Sequence, residues 1–193
     1  TVSSGTLNTT GQLLGGLTNN ATTNASGVLN GPISNTGQLT VAGALTGNGA
    51  LVNSGTLDVI AGSFTGLPSV TNPGNINVTG QTLGGNLIHN GGTVTLTGGT
   101  IGGTTNIAGG ATLTALGAST LGGATVNGGV INLADGAADD VLTVNGNLNS
   151  TGTINLDVSL NSPVPAVDTI VVNGGLSGTI NVAFTSLGAG TFD

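Results

Sequence analysis

Few side chains in this sequence can do chemistry. Its 193 residues hold seven acids, all of them Asp, one His, and no Lys, Arg or Cys. Asp139 and Asp140 are the one adjacent carboxylate pair, with Asp135 close by. Paired carboxylates are the machinery of glycoside hydrolysis, and pectin-degrading β-helices use clustered Asp for hydrolysis or an Arg or Lys base for elimination. No cation is available here, and no further acids recur at a spacing that would gather them beside this pair. No catalytic residue is therefore assigned. Asp140 is expected to cap the turn before Val141-Leu-Thr-Val144, as Asp168 does at its own repeat. Asp135, Asp139 and Asp140 also offer the oxygen ligands that calcium takes. They lack the Gly-Gly-x-Gly-x-Asp nonapeptide of calcium-binding β-rolls, so no metal site and no cofactor is assigned. Asp58 and Asp157 read as outward, solvated strand residues. His89 reads as outward too, beside a corner at Asn90, and has no carboxylate or Cys partner for catalysis or zinc.

Composition narrows the function classes further. Only 4% of residues are charged, against roughly 25% in an ordinary domain. A chain of net charge −7 with no cation has nothing to clamp phosphate, which excludes nucleic acid and anionic membrane surfaces as partners. No apolar run approaches the ~20 residues of a membrane helix, so direct membrane insertion is not expected. Hydrophobic residues make up 37%, which is too many for charge-driven disorder. Gly reaches 38 residues, and helices are disfavoured where Gly and Asn recur so often.

The elements that must position these residues are read from an internal repeat. Asn35-Thr-Gly-Gln-Leu-Thr-Val41, Asn53-Ser-Gly-Thr-Leu-Asp-Val59, Asn72-Pro-Gly-Asn-Ile-Asn-Val78, Asn90-Gly-Gly-Thr-Val-Thr-Leu96 and Asn127-Gly-Gly-Val-Ile-Asn-Leu133 align, with a degenerate copy at Gly109 to Ala115. The first apolar column is Leu39, Leu57, Ile76, Val94, Leu113 and Ile131, spaced 18, 19, 18, 19 and 18. Val41, Val59, Val78, Leu96, Ala115 and Leu133 follow two residues on. A third column is Val52, Val70, Ile88, Ile107 and Val126, and a looser fourth is Leu45, Phe64, Leu83, Ile101 and Leu121. This period is too short for paired helices or a propeller blade. It suits one coil of an all-β parallel solenoid, a β-helix in which short strands alternate inward and outward side chains. Corners demand Gly and Asn, because Gly takes positive φ freely and Asn tolerates it best among the rest. Asn35, Asn53, Asn72, Asn90 and Asn127 are expected to form an amide ladder, with a polar binding row as the alternative.

Three regions are expected: irregular N-terminal coils over 1–34, regular coils over 35–133 and wider C-terminal coils over 134–193. In the last, Asp140 to Gly146 returns 28 residues later as Asp168 to Gly174, and Thr153 to Leu156 returns 26 later as Thr179 to Val182. Asn161–Ala166 is a Pro-stiffened loop between them. Outward Thr93/Thr95 and Thr112/Thr114 resemble pairs on ice-binding solenoids. The same columns hold Gln38/Thr40, Thr56/Asp58, Asn75/Asn77 and Val130/Asn132 elsewhere, which is not a flat Thr array.

The Asn-x-Gly-x-Leu-x-Val coils, followed by Asp140-Val-Leu-Thr-Val-Asn-Gly-Asn-Leu148, Gly152-Thr-Ile-Asn-Leu-Asp157 and Asp168-Thr-Ile-Val-Val-Asn-Gly174, resemble passenger domains of Gram-negative autotransporters. The likeness spans the chain and is most specific over 139–184. It implies a right-handed parallel β-helix exported to the cell surface, with the 139–184 region associated with nucleating its folding. The lack of Cys suits passage across the outer membrane unfolded. The repeat pattern is open at both ends, as expected of a segment of a longer protein. The expected role is a non-catalytic extracellular stalk or adhesin segment. Its expected partner is a host or neighbouring-cell ligand, met through a Thr/Asn face or the Asn161–Ala166 loop. The alternative is a filament or surface-layer module that self-associates end to end.

Overall fold

A coil of 16 to 28 residues is the unit of this structure, a computed structural model that describes residues 1–160 and 166–188. Each coil turns three times, giving three faces. Among the described residues there is no helix, and every ladder is parallel except the short antiparallel pair Val158↔Val167 and Ser159↔Ala166. The chain is an all-β solenoid. Its third face is a nine-stranded sheet running from Leu17–Asn19 through Ile33–Asn35, Leu51–Asn53 and Ser69–Asn72 to Leu176–Ser177. The first and second faces merge into one 18-stranded sheet, because early strands such as Gln38–Gly47 bend through the corner between them without a break.

The apolar columns of the first two faces follow the repeat. Leu39, Leu57, Ile76, Val94, Leu113 and Ile131 pair one above another, as do Val41, Val59, Val78, Leu96 and Ala115. All of them are fully buried. On the second face Leu45, Phe64, Leu83, Ile101 and Leu121 stack and continue into Val144 and Val172. Alternation with period two puts Thr, Asn and Gln outside and the branched apolar residues inside. At ~25 cal/mol per Å², this unbroken inner tube is the main stabilising term available to a chain without disulfides.

The third face departs from the expected column. Val52, Val70, Ile88, Ile107 and Val126 do not share a ladder. The inner row runs Ile33, Leu51, Val70, Leu87, Thr105, Thr125 and Leu148, while the outer row runs Ser34, Val52, Thr71, Ile88, Asn106, Val126 and Asn149. The stretch of chain between the inner rows of the first and third faces changes length from coil to coil, running Leu39 to Leu51, Leu57 to Val70 and Ile76 to Leu87, and a one-residue slip exchanges inside for outside. Apolar identity did not mark the inside here, because Val52, Ile88 and Val126 lie outside at 44%, 44% and 49% exposure.

Residues 1–34 form coils that advance by 16, pairing Thr6 with Thr22 and Thr22 with Gln38. After residue 133 the coils widen to 23 and then 28 residues. The expected 26-residue return of Thr153 is not seen: Thr153 pairs with Asn181, Ile154 with Val182 and Leu156 with Phe184. Val141–Val144 and Thr169–Val172 in the same two coils are also 28 apart, so one offset serves the whole turn.

Glycine serves two different ends at the corners. Gly80, Gly98 and Gly117 turn from the first to the second face with φ near +60° (61°, 62° and 60°), where a side chain is strained. Gly37, Gly55 and Gly74 have ordinary φ, and there the need is space: a methyl group on each would strike the backbone carbonyl oxygen of Ala21, Gly37 or Gly55 one coil below. The expectation that Asn fills positive-φ corners is corrected, since no non-glycine among the described residues has positive φ.

Two outcomes follow. Val59→Asp places a charge in a tube with no cation to pair it and should cost at least ~4 kcal/mol, enough to unfold the chain. Thr95→Asp on the outside should cost under ~1 kcal/mol. Thr95 is the better control than Thr40, which sits directly beside Asp58. Thermal melts of both variants check the inward register, and equal melting temperatures would contradict it. Removing residues 53–71 sets Asn72 in the place of Asn53, its ladder partner one coil away. That chain should stay folded in circular dichroism, whereas removal of residues 53–61, half a coil, should unfold it.

Candidate functional site

The polar side chains form two inner networks and two outer Thr arrays, and apolar side chains line an open cavity in the last described coils. The first network is an amide ladder along the corner after the third face. Asn19 Nδ2 donates to Asn35 Oδ1 at 2.7 Å and to Gln38 O at 2.9 Å. Asn35 donates to Asn53 Oδ1 and Thr56 O at 2.7 and 2.8 Å, and Asn53 to Asn72 Oδ1 and Asn75 O at 2.7 and 2.8 Å. Each amide nitrogen bonds one side chain and one backbone carbonyl in the coil above, which fixes the orientation of every amide. All four Asn are fully buried. A buried amide costs a few kcal/mol unless paired, and here the repeat supplies the partners. The amides are therefore structural, and no binding row faces solvent at this corner.

His89 is the fifth rung, which corrects the expected outward placement. It is fully buried and pairs with Asn72, while Asn90 lies outside the ladder and is exposed. Its Nδ1 accepts from Asn72 Nδ2 at 3.2 Å, and its Nε2 donates to Thr112 O at 2.8 Å. An amide nitrogen only donates and a carbonyl only accepts, so the ring proton is assigned to Nε2. The imidazole thus reproduces the accepting bond and the backbone donation of an Asn rung, without the forward bond to a side chain. The ladder then breaks at buried Ile107 and resumes at Asn127, whose Nδ2 donates to Ser150 Oγ at 3.0 Å. The 16-residue coils of the N-terminal end hid Asn19 from an 18–19-residue alignment. Counting sixteen back from Asn35 would have found it.

The second network corrects the expected roles of the Asp residues. Gly80 and Gly98 each donate their N–H to the carbonyl of the next coil, at Thr97 and Leu116. Gly117 finds no such carbonyl, because the chain over 134–140 bulges away, and it donates instead to Asp140 Oδ1 at 2.5 Å. Asp140 N donates to Asp168 Oδ1 at 3.1 Å, and Asp157 N to Asp168 Oδ2 at 2.7 Å. Gly136 N donates to Asp157 Oδ2 at 2.6 Å. Asp140, Asp157 and Asp168 are buried, so Asp157 is not the solvated residue expected. Asp140 and Asp168 brace neighbouring coils rather than cap their own turns. Asp58 does face outward and accepts from Asn77 Nδ2 at 2.7 Å and Gln38 Nε2 at 3.1 Å.

Burial lifts the Asp140 carboxyl to about 6, opposed by the Gly117 N–H and reinforced by the charges of Asp135, Asp168 and Asp139. Burial also raises Asp168, opposed by the N–H groups of Asp157 and Asp140, with the Asp157 and Asp135 charges adding to the rise. Asp135 and Asp139 are exposed. Among the described residues no three acidic or His side chains are placed to hold a metal ion. Asp140 is buried with its Oδ1 taken by the Gly117 N–H, whereas Asp139 beside it is exposed.

Outside, Thr93/Thr112 and Thr95/Thr114 pair on adjacent coils as expected. The sequence reading missed a longer run on the second face, where Thr82, Thr100, Thr120 and Thr143 stack over four coils. Shared alignment with the Leu83, Ile101 and Leu121 column would have revealed it. At the C-terminal end, Leu148, Ile154, Leu156, Ile170, Val172, Leu176, Ile180 and Val182 line an open cavity of about 210 Å³. The Asn161–Ala166 loop has residues 161–165 outside the described residues.

The ladder makes a graded prediction. His89→Asn restores an Asn rung and should change stability by less than ~1 kcal/mol, whereas His89→Leu leaves Thr112 O without that donor and should cost ~1–3 kcal/mol. Chemical denaturation of the two variants distinguishes them, and equal losses would contradict the rung assignment. In comparisons with known proteins, no family model, no curated protein and no solved structure matches this chain.

Proposed function

We propose that this chain is a non-catalytic, surface-displayed or secreted β-solenoid segment of the autotransporter-passenger kind, acting as a stalk or adhesin spacer. The observation that carries the reading is the use of its reactive side chains. His89, Asp140, Asp157 and Asp168 are buried and engaged with backbone groups of neighbouring coils, so the chain's chemistry goes into coil-to-coil bracing. What remains outside, apart from Asp58, Asp135 and Asp139, is a set of Thr, Asn and Val rows at coil spacing, suited to extended, weakly selective contact. A chain without Cys also forms no disulfide that would obstruct passage through a narrow pore.

A second reading rests on one specific feature. Leu176 and Phe184 stand 56% and 61% exposed in the last described coil, directly above buried or half-buried apolar residues. An apolar, uncharged open edge is a template for a further coil, which favours a module that stacks end to end.

Replacing the passenger of a known autotransporter by this chain tests the first reading. The account expects protease-accessible, folded chain on the cell surface and no turnover of a polysaccharide panel. Retention in the periplasm, or hydrolysis abolished by Asp140→Asn, would overturn it. Light scattering of the purified chain addresses the second reading. Concentration-dependent assembly that Phe184→Asp abolishes would support it, and a monomer at all concentrations would remove it.

A further inference from the structure

The bulge over 134–140 leaves a structural question at the point where the regular coils meet the wide ones. At two successive corners a neutral backbone carbonyl receives the glycine N–H, from Gly80 to Thr97 and from Gly98 to Leu116. At the third the receiver is the side chain of Asp140, an acid held 3% exposed in a chain with no Lys or Arg. Its Oδ1 takes the Gly117 N–H. Its Oδ2 is buried and has no hydrogen-bond partner.

An ionised carboxylate there would bury a charge with a single donor and leave one oxygen bare, which is among the costlier arrangements a protein can hold. The protonated acid presents a carbonyl oxygen to Gly117, as Thr97 and Leu116 present theirs, and a neutral hydroxyl at Oδ2. Its surroundings push the same way. The titratable groups facing it are Asp135, Asp139 and Asp168, and Asp168 in turn faces Asp157. The strands flanking Val141–Val144, namely Ala118–Leu121 and Thr169–Val172, contain no ionisable residue.

We propose that Asp140 is a proton-dependent latch: protonated, it locks the wide C-terminal coils onto the regular solenoid, and ionised, it loosens that junction. Asp168 extends the latch by one coil, since it accepts the N–H of both Asp140 and Asp157. Thr169 N donates to Asp140 O at 2.8 Å, so movement at Asp140 is felt in the strand Thr169–Val172. The proton is carried on Oδ2, and its loss leaves that buried oxygen sharing a charge with no donor to meet it.

The sign follows from the direction of the shift. The Asp140 carboxyl is raised from 3.8 to about 6, so the folded state binds its proton more tightly than the unfolded chain does. The stabilisation is complete below about 3.8 and is withdrawn as pH rises through about 6. Asp168 is raised as well and adds in the same direction.

The test is a series of thermal melts from pH 4.5 to 7.5 on the whole chain and on Asp140→Asn, which keeps an oxygen for Gly117 and cannot ionise. The wild-type melting temperature should fall across this range, and the variant should lose most of that slope while matching the wild type at its acid end. A flat or rising wild-type profile would overturn the latch, as would a variant that keeps the full slope. Should Asp140→Asn fail to fold, the carboxyl carbon resonance of Asp140 in the wild type decides. A midpoint near 6, tracked by the Gly117 amide proton, supports the latch, and a midpoint at or below 4 overturns it.

Discussion

Each coil of this protein must fit the coil above and below it at every inward position, and the other features of the structure answer to that constraint. Parallel in-register pairing places like positions ~4.8 Å apart along the axis. A side chain that suits one coil is therefore judged by its two neighbours. Branched apolar residues meet the condition by stacking, as in the Leu39 to Ile131 column. Amides meet it by bonding to one another, as from Asn19 to Asn72. Corner glycines meet it by having no side chain to strike the backbone beneath. Where a coil cannot repeat its neighbour, a side chain is recruited to complete the pairing: His89 for an amide, Asp140 for a carbonyl.

The same constraint decides how much could be read from sequence. The first and second faces were legible because buried Leu, Ile, Val and Phe recur there at one period, with polar residues between. The third face was not. Its strands are two to four residues long, its outer row carries Val52, Ile88 and Val126, and a change of one residue in the stretch between the first and third faces reverses the meaning of every apolar position. His89 lies inside for that reason, with apolar Ile88 in the outer row. Buried Asp140, Asp157 and Asp168 were illegible for a different reason: their partners are backbone N–H groups 11 to 28 residues away, which leave no trace in residue type. Twenty-eight-residue recurrence was visible through Asp140 and Asp168, but the accompanying 26-residue match of Thr-Ile-Asn was a coincidence of composition that the pairing does not follow.

Absence of cations gives the electrostatics an unusual character. In most proteins a buried acid is answered by Arg or Lys, and the pair holds the carboxylate ionised. Here only N–H dipoles are available, and they are weaker than a full positive charge. The result is a set of three buried acids whose satisfaction depends on backbone placement, located where coils widen from 18 or 19 residues to 23 and 28.

The claim at the centre of this account is that length along the axis is counted in coils, whatever number of residues each coil contains. Spin labels on the outer row of the third face measure it directly. Val52 and Asn149 are separated by five pairings through Thr71, Ile88, Asn106 and Val126, and Ser177 lies one pairing further on. Pulsed electron paramagnetic resonance should give ~24 Å between labels at Val52 and Asn149, and ~29 Å between labels at Val52 and Ser177. The last step should add only ~5 Å although it spans a full wide coil. A distance that grew in proportion to the number of residues, or a broad distribution for either pair, would contradict the stacked-coil architecture.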